Sequence, residues 1–203
     1  MPAVDQIAVV VPAGPGERAW EGLLPLLHGF GERVVSGVQG DELSAGPGHQ
    51  VVSGPAGRAR QLNAGAAASR LPWLFFIHAD SRPDRRLADA VQQLPDADYI
   101  AYGRLSFYDG PRLMRLNEVG GWLRSRLFGL PFGDQGMLMR RSLFQRLGGF
   151  DESIDCGEDH ALVWAARHAG VPVRPLAAPM PTSARRYAEH GWWRVTCRHL
   201  ALS

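Results

Sequence analysis

Five short segments hold the residues whose types and spacing suit chemistry. The first is His78-Ala79-Asp80-Ser81, which follows an apolar run. An aspartate delivered at a strand end can reach a cation that a diphosphate also ligates, and Mn²⁺ or Mg²⁺ favours such oxygen ligands. The plainer account is that Asp80 caps the helix expected to follow near Pro83. The second is Gly57-Arg58-Ala59-Arg60-Gln61-Leu62-Asn63. Its arginines and amide open a helix at the end that attracts anions, although a solvated helix face also carries arginines. In Gly133-Asp134-Gln135-Gly136 a polar turn precedes a short strand, and a turn needs Gly and Asp for backbone reasons alone. Glu158-Asp159 puts two carboxylates at a helix start, where a general base could project or where negative charge simply suits the helix dipole. Thr182-Ser183-Ala184-Arg185-Arg186 reads either as an anion-facing pair of arginines or as a capped helix start with exposed charges.

The elements that must position these segments follow from hydrophobic patterning. Ile7 to Val11 is a continuous aliphatic run ended by Pro12, as expected of a central strand buried on both faces. Trp20, Leu23, Leu24 and Leu27 recur at helical spacing, with Pro25 interrupting the helix. Arg33 to Val38 and Gln50 to Val52 are the next strands, and Arg58 to Ser69 is an alanine-rich helix. Trp73 to Ile77 is the clearest strand, and it delivers Asp80 at its carboxyl end, where open α/β sheets bind ligands. The second half reads as mixed elements: a strand from Tyr99 to Phe107, an amphipathic helix from Arg112 to Phe128, and a strand from Met137 to Met139. A helix from Ser142, a helix from Glu158 to His168 and a strand around Val171 to Leu176 complete it. The alternation of strands and helices predicts an α/β fold with a mostly parallel sheet. A length of 203 residues suits one domain, with residues 1–103 as one half and 104–203 as the other.

Composition narrows the function classes. Hydrophobic residues at 45% and charged residues at 21% are those of a folded globular chain. Every cationic side chain besides histidine is arginine. Met1 to Gly103 carries 8 arginines against 11 acidic residues, and Arg104 to Ser203 carries 14 against 9. That asymmetry suits an anionic acceptor or lipid surface and falls far short of a nucleic-acid binder's basic patch. Cys156 and Cys197 form neither a disulfide framework nor a zinc motif, so a reducing compartment is expected. The N-terminal run lacks a basic flank and reads as a strand rather than a signal peptide. With no apolar stretch of about 18 residues, a cytoplasmic location is expected, with any membrane contact peripheral at the inner face.

Taken together and in this order, GRARQLNAGA, FFIHADSRP, GDQGMLMRRSLFQRLGGFDE, the Glu158-Asp159 pair and TSARR resemble the inverting family 2 glycosyltransferases. In particular they resemble the small bacterial transferases found beside arsenosugar or radical-SAM genes. The resemblance covers nearly the whole chain and is strongest from Gly57 to Arg186. It implies a GT-A fold, a nucleotide-sugar donor and a small-molecule or lipid-linked acceptor. It also implies Mn²⁺ or Mg²⁺ held at Asp80, which matches the last aspartate of a DxD-like motif. His78 stands where relatives carry the first aspartate, beside Ala79. Pro12 ends the first strand on the donor side, Arg58 matches a basic position near the diphosphate, and Arg60 and Asn63 share that segment. Asp159 matches the general base. Asp134, Gln135 and Glu158 fall near the acceptor or donor sugar, and Arg185 and Arg186 near the diphosphate. Two stretches depart from the pattern. Ser36 stands at the second strand's end where relatives have an aspartate, and Ala13-Gly14-Pro15-Gly16-Glu17 replaces the usual NEE. The chain ends soon after His199, without the hydrophobic tail of longer relatives.

Two other classes stand beside this reading. A non-catalytic GT-A module that binds a nucleotide or a protein would explain Ser36 but needs no general base. A nucleotidyltransferase would need a glycine-rich LxGGxS/TRMG-like loop after the first strand, and Ala13-Gly14-Pro15-Gly16-Glu17 does not match it.

Overall fold

The first strand sets the architecture. Ile7–Pro12 (β1) is buried along its whole length, and its side chains alternate between two cores. Ile7, Val9 and Val11 enter one, while Ala8 and Val10 enter the other. A strand without a polar face has to lie inside a sheet covered on both sides. The structure, a computed structural model, describes residues Met1–Ala201.

Seven strands form one sheet in the order β3-β2-β1-β4-β6-β5-β7. β2 is Glu32–Val38, β3 Gln50–Gly54, β4 Trp73–Phe76, β5 Ile100–Phe107, β6 Met137–Arg140 and β7 Val173–Thr182. β1 to β4 run parallel, β6 is antiparallel to both β4 and β5, and β7 is parallel to β5. Both halves of the chain therefore build the same sheet. β1 has β2 on one side and β4 on the other, so the chain crosses in opposite directions from β1 and opens a crevice at its carboxyl end.

One face is covered by α1 (Ala19–Leu23), its 3₁₀ continuation Leu24–Leu27, and α3 (Arg86–Gln92). Pro25 lies at the switch to 3₁₀ geometry, as its missing N–H and ring demand. The other face is covered by α2 (Arg58–Ala68), α5 (Arg141–Arg146) and α6 (Glu158–His168). A third, smaller cluster joins α4 (Met114–Leu123), α7 (Arg185–His190) and α8 (Trp192–Ala201) through Met114, Ala184, Tyr187 and Val195.

Three expectations are corrected. The single helix expected over Arg112 to Phe128 is α4 followed by a π-helical turn, Arg124–Phe128, which Gly129 ends in the left-handed region at φ 62°. The strand expected around Val171 to Leu176 runs on to Thr182. Pro175, Pro179 and Pro181 obscure it in the sequence and are tolerated because β7 is an edge strand. Asp80 does not cap a helix. α3 starts only at Arg86, and the carboxylate of Asp84 accepts the Arg86 N–H at 2.9 Å.

α2 lies close on β1 because Gly65 has no side chain: a methyl there would overlap Val10 Cγ1. Gly120 in α4, by contrast, faces open space. Gly65→Ala should therefore lower unfolding free energy by about 1–3 kcal/mol in urea titrations through overpacking. Gly120→Ala should raise it by about 0.5–1 kcal/mol through helix propensity.

Candidate active site

The carboxyl edge of the sheet gathers the chemistry. β1, β4, β5 and β7 end there, and the 3₁₀ turn Gly133–Gln135 enters β6 there. A cleft of about 470 Å³ opens at this edge. Pro12, Arg58, His78, Ala79, Asp80, Asp134, Glu158, Asp159, Arg185 and Arg186 all line it.

The floor of the cleft is fixed by backbone hydrogen bonds. Ala13 N donates to Ser36 O at 2.8 Å. Buried Gln61, on the first turns of α2, donates its amide to Ala13 O at 2.5 Å and Ser36 O at 2.9 Å. This amide staples β1 to β2 where their chains leave the sheet. Helical geometry turns Arg58 and Gln61 toward the cleft, three residues apart on one face. It turns Arg60 and Asn63 away. Arg60 donates to Ala56 O at 3.2 Å and pairs with Glu152 at 3.7 Å. Asn63 clasps Phe150, accepting from its N–H at 3.0 Å and donating to its carbonyl at 2.9 Å. Gln135 is also outside the cleft lining. It is 1% exposed and locks Gly103 O, Phe132 N and Ser125 Oγ together. Of the twelve residues singled out besides Ala79, these three are the ones the fold does not bring into the cleft.

Arg58 bridges two elements. Its Nε donates to Glu158 Oε1 at 2.7 Å, and its Nη2 donates to His78 Nε2. A guanidinium has no acceptor, so Nε2 carries the lone pair and the imidazole is neutral. Burial, reinforced by the positive charges of Arg58 and Arg186, holds His78 well below the ordinary histidine value. Asp159 is held at the start of α6 by two backbone donors, Gly133 N at 2.5 Å on Oδ2 and His160 N at 2.9 Å on Oδ1. Gly133 permits this approach, since a methyl there would stand 2.9 Å from Asp159 Oδ2 and 3.1 Å from His78 Nε2. Asp80 Oδ1 accepts from Thr182 Oγ1 at 3.2 Å, which ties the loop after β4 to the end of β7. Arg185 pairs with Glu17 at 2.9 Å, while Glu17 also accepts the Ala19 N–H at 2.8 Å.

Asp134 is the strained group. Its Oδ1 is buried and has no hydrogen-bond partner among the described residues. Burial pushes its carboxyl up to about 6, Arg124 opposes this, and the negative charges of Asp159 and Asp80 add to it. Arg124 lies over the Phe132 ring and donates to Leu130 O at 2.8 Å; burial draws it down to about 10, still cationic at neutral pH. Gln61 and Arg124 escaped the sequence reading. A polar residue three places from Arg58 in an alanine-rich helix was the available signal for Gln61.

Among the described residues no three His, Cys, Asp or Glu side chains are grouped as a metal cage. The donor set is instead drawn from the carboxylates that line the cleft, Asp80 among them, with the unpartnered Asp134 Oδ1 close enough to feel the Asp80 charge. Such a set fits a hard cation that brings phosphate oxygens and water as most of its shell.

Neither family models nor curated protein sequences match the chain. Solved structures do. A mannosyltransferase from Pyrobaculum calidifontis, in complex with GDP-Man and Mn²⁺, superposes with a TM-score of 0.64 at 21% identity, over 92% of this chain and 59% of its own. Glucosyl-3-phosphoglycerate synthase from Mycobacterium tuberculosis, with Mn²⁺, UDP and glucosyl-3-phosphoglycerate, gives 0.58 at 18% identity, over 87% and 70%. Residues 1–349 of S. aureus TarS give 0.57 at 14% identity, over 88% and 58%. The chain thus spans 58% of that TarS fragment and 59% of the mannosyltransferase. These neighbours are GT-A glycosyltransferases, and this chain has the GT-A fold.

The Asp134 carboxyl yields a pH test. Its native value of about 6 exceeds the roughly 4 of an unfolded aspartate. The native state therefore binds the extra proton between those values, and stability from this group falls as pH rises through that window. In metal-free buffer Asp134→Asn should be more stable than the parent at pH 7.5, by on the order of 2 kcal/mol. That gain should vanish below about pH 4, read from thermal melts across pH.

Proposed function

We propose that the protein is a metal-dependent inverting glycosyltransferase, of the family 2 kind, that moves a sugar from a nucleoside diphosphate donor to a hydroxyl acceptor. The observation that carries this reading is the meeting of Asp80, Asp159 and the Arg185-Arg186 pair around one cleft at the sheet's topological switch. The Mn²⁺ and nucleotides of the mannosyltransferase and the phosphoglycerate synthase support it by likeness of fold.

In this reading Asp80 holds Mn²⁺ or Mg²⁺, which when bound offsets the negative charge of the donor diphosphate. Arg58, Arg185 and Arg186 face the same anion, and preorganised cations of this kind favour the charge that grows on a leaving diphosphate. Neutral His78 lines the donor side without adding charge. Pro12 and Ala79 shape its walls. Asp159 takes the proton of the acceptor hydroxyl as the acceptor oxygen bonds to the anomeric carbon and the bond to the diphosphate breaks, its electron pair leaving with the phosphate. The two backbone N–H groups on Asp159 keep the carboxylate oriented while leaving lone pairs for that proton. Asp134 stands on the acceptor side. Glu158 serves there by fixing Arg58. A cytoplasmic setting fits this chemistry, and no helix among the described residues is long and apolar enough to cross a membrane.

A non-catalytic nucleotide-binding module is the second reading, favoured by Ser36. It is buried, its carbonyl is taken by Ala13 and Gln61, and it gives the end of β2 no carboxylate for a ribose.

Thermal melts with nucleoside diphosphates and nucleotide-sugars, with and without Mn²⁺, test both. The transferase reading expects a metal-dependent rise in Tm that Asp80→Ala abolishes. Asp159→Asn should keep that rise while lowering turnover about 10²-fold or more. Donor binding indifferent to metal and to Asp80→Ala would sink the transferase reading, and binding without turnover across an acceptor panel would favour the module.

A further inference from the structure

A second cavity of about 840 Å³ lies against the first. Its walls come from α4 (Leu116, Gly120), the π-helical turn (Leu127, Phe128), α6 (Trp164) and α8 (Trp192). Leu127 is 67% and Phe128 61% exposed, although side chains of this kind are normally buried for about 1.5–3 kcal/mol each. The volume sits at the upper end of the roughly 300–1,000 Å³ of small-molecule sites. Two features separate it from a loose surface patch. Phe132, Asp134 and Tyr187 line both cavities, so the groove is continuous with the cleft. Gly120 lines it with room to spare, since an added Cβ there meets nothing within 4 Å.

From this continuity we infer that the groove takes the hydrocarbon body of an amphipathic acceptor alcohol, whose hydroxyl end lies at Asp134 and Asp159. The inference rests on the glycosyl-transfer reading and deepens it by naming the acceptor class. Apolar walls accept a chain or ring system without specific partners, since burial of CH₂ groups is the driving force. Of its polar lining residues, Asp134 and Tyr187 stand where the cavities meet, and Asn117, Arg124, Arg167 and Thr196 contribute the rest. A purely hydrophilic acceptor would leave these walls in water. An apolar-bodied one covers them and is aimed by them into the cleft.

The probe is 1,2-octanediol compared with 1,2-propanediol, which carries the same diol on a shorter chain. Binding is read by titration calorimetry and by tryptophan emission, since Trp164 and Trp192 line the groove. The expected result is saturable binding of the octanediol at least ten-fold tighter than the propanediol, with a blue shift in emission. Gly120→Leu fills the groove from a helical position with room for the side chain, so it should weaken octanediol at least ten-fold while melting no lower than the parent. Leu127→Ser is the second variant and should weaken it in the same direction. Equal affinity for the two diols, or octanediol binding unchanged in both variants, would overturn the inference. So would a stable dimer in sedimentation whose dissociation accounts for the octanediol signal, because the face would then belong to a second copy. Metal-dependent nucleotide binding at Asp80 with no octanediol preference removes this inference alone. Groove binding without any nucleotide binding removes the transfer reading and with it the acceptor role of the groove.

Discussion

Arg58 is the side chain through which the cleft is assembled. It leaves the first turn of α2, donates to Glu158 at the start of α6 and to His78 after β4, and so joins three segments distant in sequence. The Glu158 side chain is only 5% exposed. Removing Arg58 would strand the buried Glu158 charge, at a cost of up to about 3–5 kcal/mol, whereas Arg58 itself is 32% exposed and keeps access to water. With Glu158 so engaged, Asp159 is the member of the pair with no ion-pair partner among the described residues, and the backbone of Gly133 turns its carboxylate toward the cleft. Burial, with the positive charges of Arg58 and Arg186, keeps His78 neutral, so the donor side holds its cations where the arginines put them.

The acidic side of the cleft shows the opposite tension. The negative charges of Asp80 and Asp159 bear on Asp134, and among the described residues Asp80 and Asp159 accept hydrogen bonds while the buried Asp134 Oδ1 accepts none. Asp134 is held by the geometry of the turn before β6, where Gln135 is locked by three partners. The position of a destabilised carboxyl is thus fixed by a neighbour that never enters the cleft. Local strain of this kind persists where surrounding contacts over-determine it.

Much of this was legible in the sequence because burial on two faces leaves a plain signature. β1 and β4 are continuous apolar runs, and α6 begins at Glu158 and ends at His168 as its periodicity indicates. Which residues of a helix face a ligand was less legible. Arg58, Arg60 and Asn63 looked equivalent in one segment, yet the rotation of α2 is set by Gly65 packing on Val10. The antiparallel insertion of β6 between β4 and β5 also left no mark in local patterning, because pairing partners are chosen by tertiary packing. The apolar groove escaped for the same reason: α4 reads as an amphipathic helix, and only the fold shows that part of its apolar stripe stays uncovered.

The prolines of β7 have a consequence for how molecules of this protein meet. Pro181 O accepts the Arg82 N–H and so points away from β5, Pro179 two residues back points to the same side, and so does Pro175, which lies at odd spacing from the Pro172 carbonyl that bonds Ile100 N of β5. The outward row of the strand therefore lacks amide donors at three positions, and an incoming strand finds no ladder to extend. Sheet-to-sheet aggregation is discouraged on that border by the missing amide donors, by the Arg82 backbone that already occupies Pro181 O, and by the exposed charge of Arg174. Self-association, where it occurs, is steered off the sheet and onto side-chain surfaces, which a bound ligand can occupy or release.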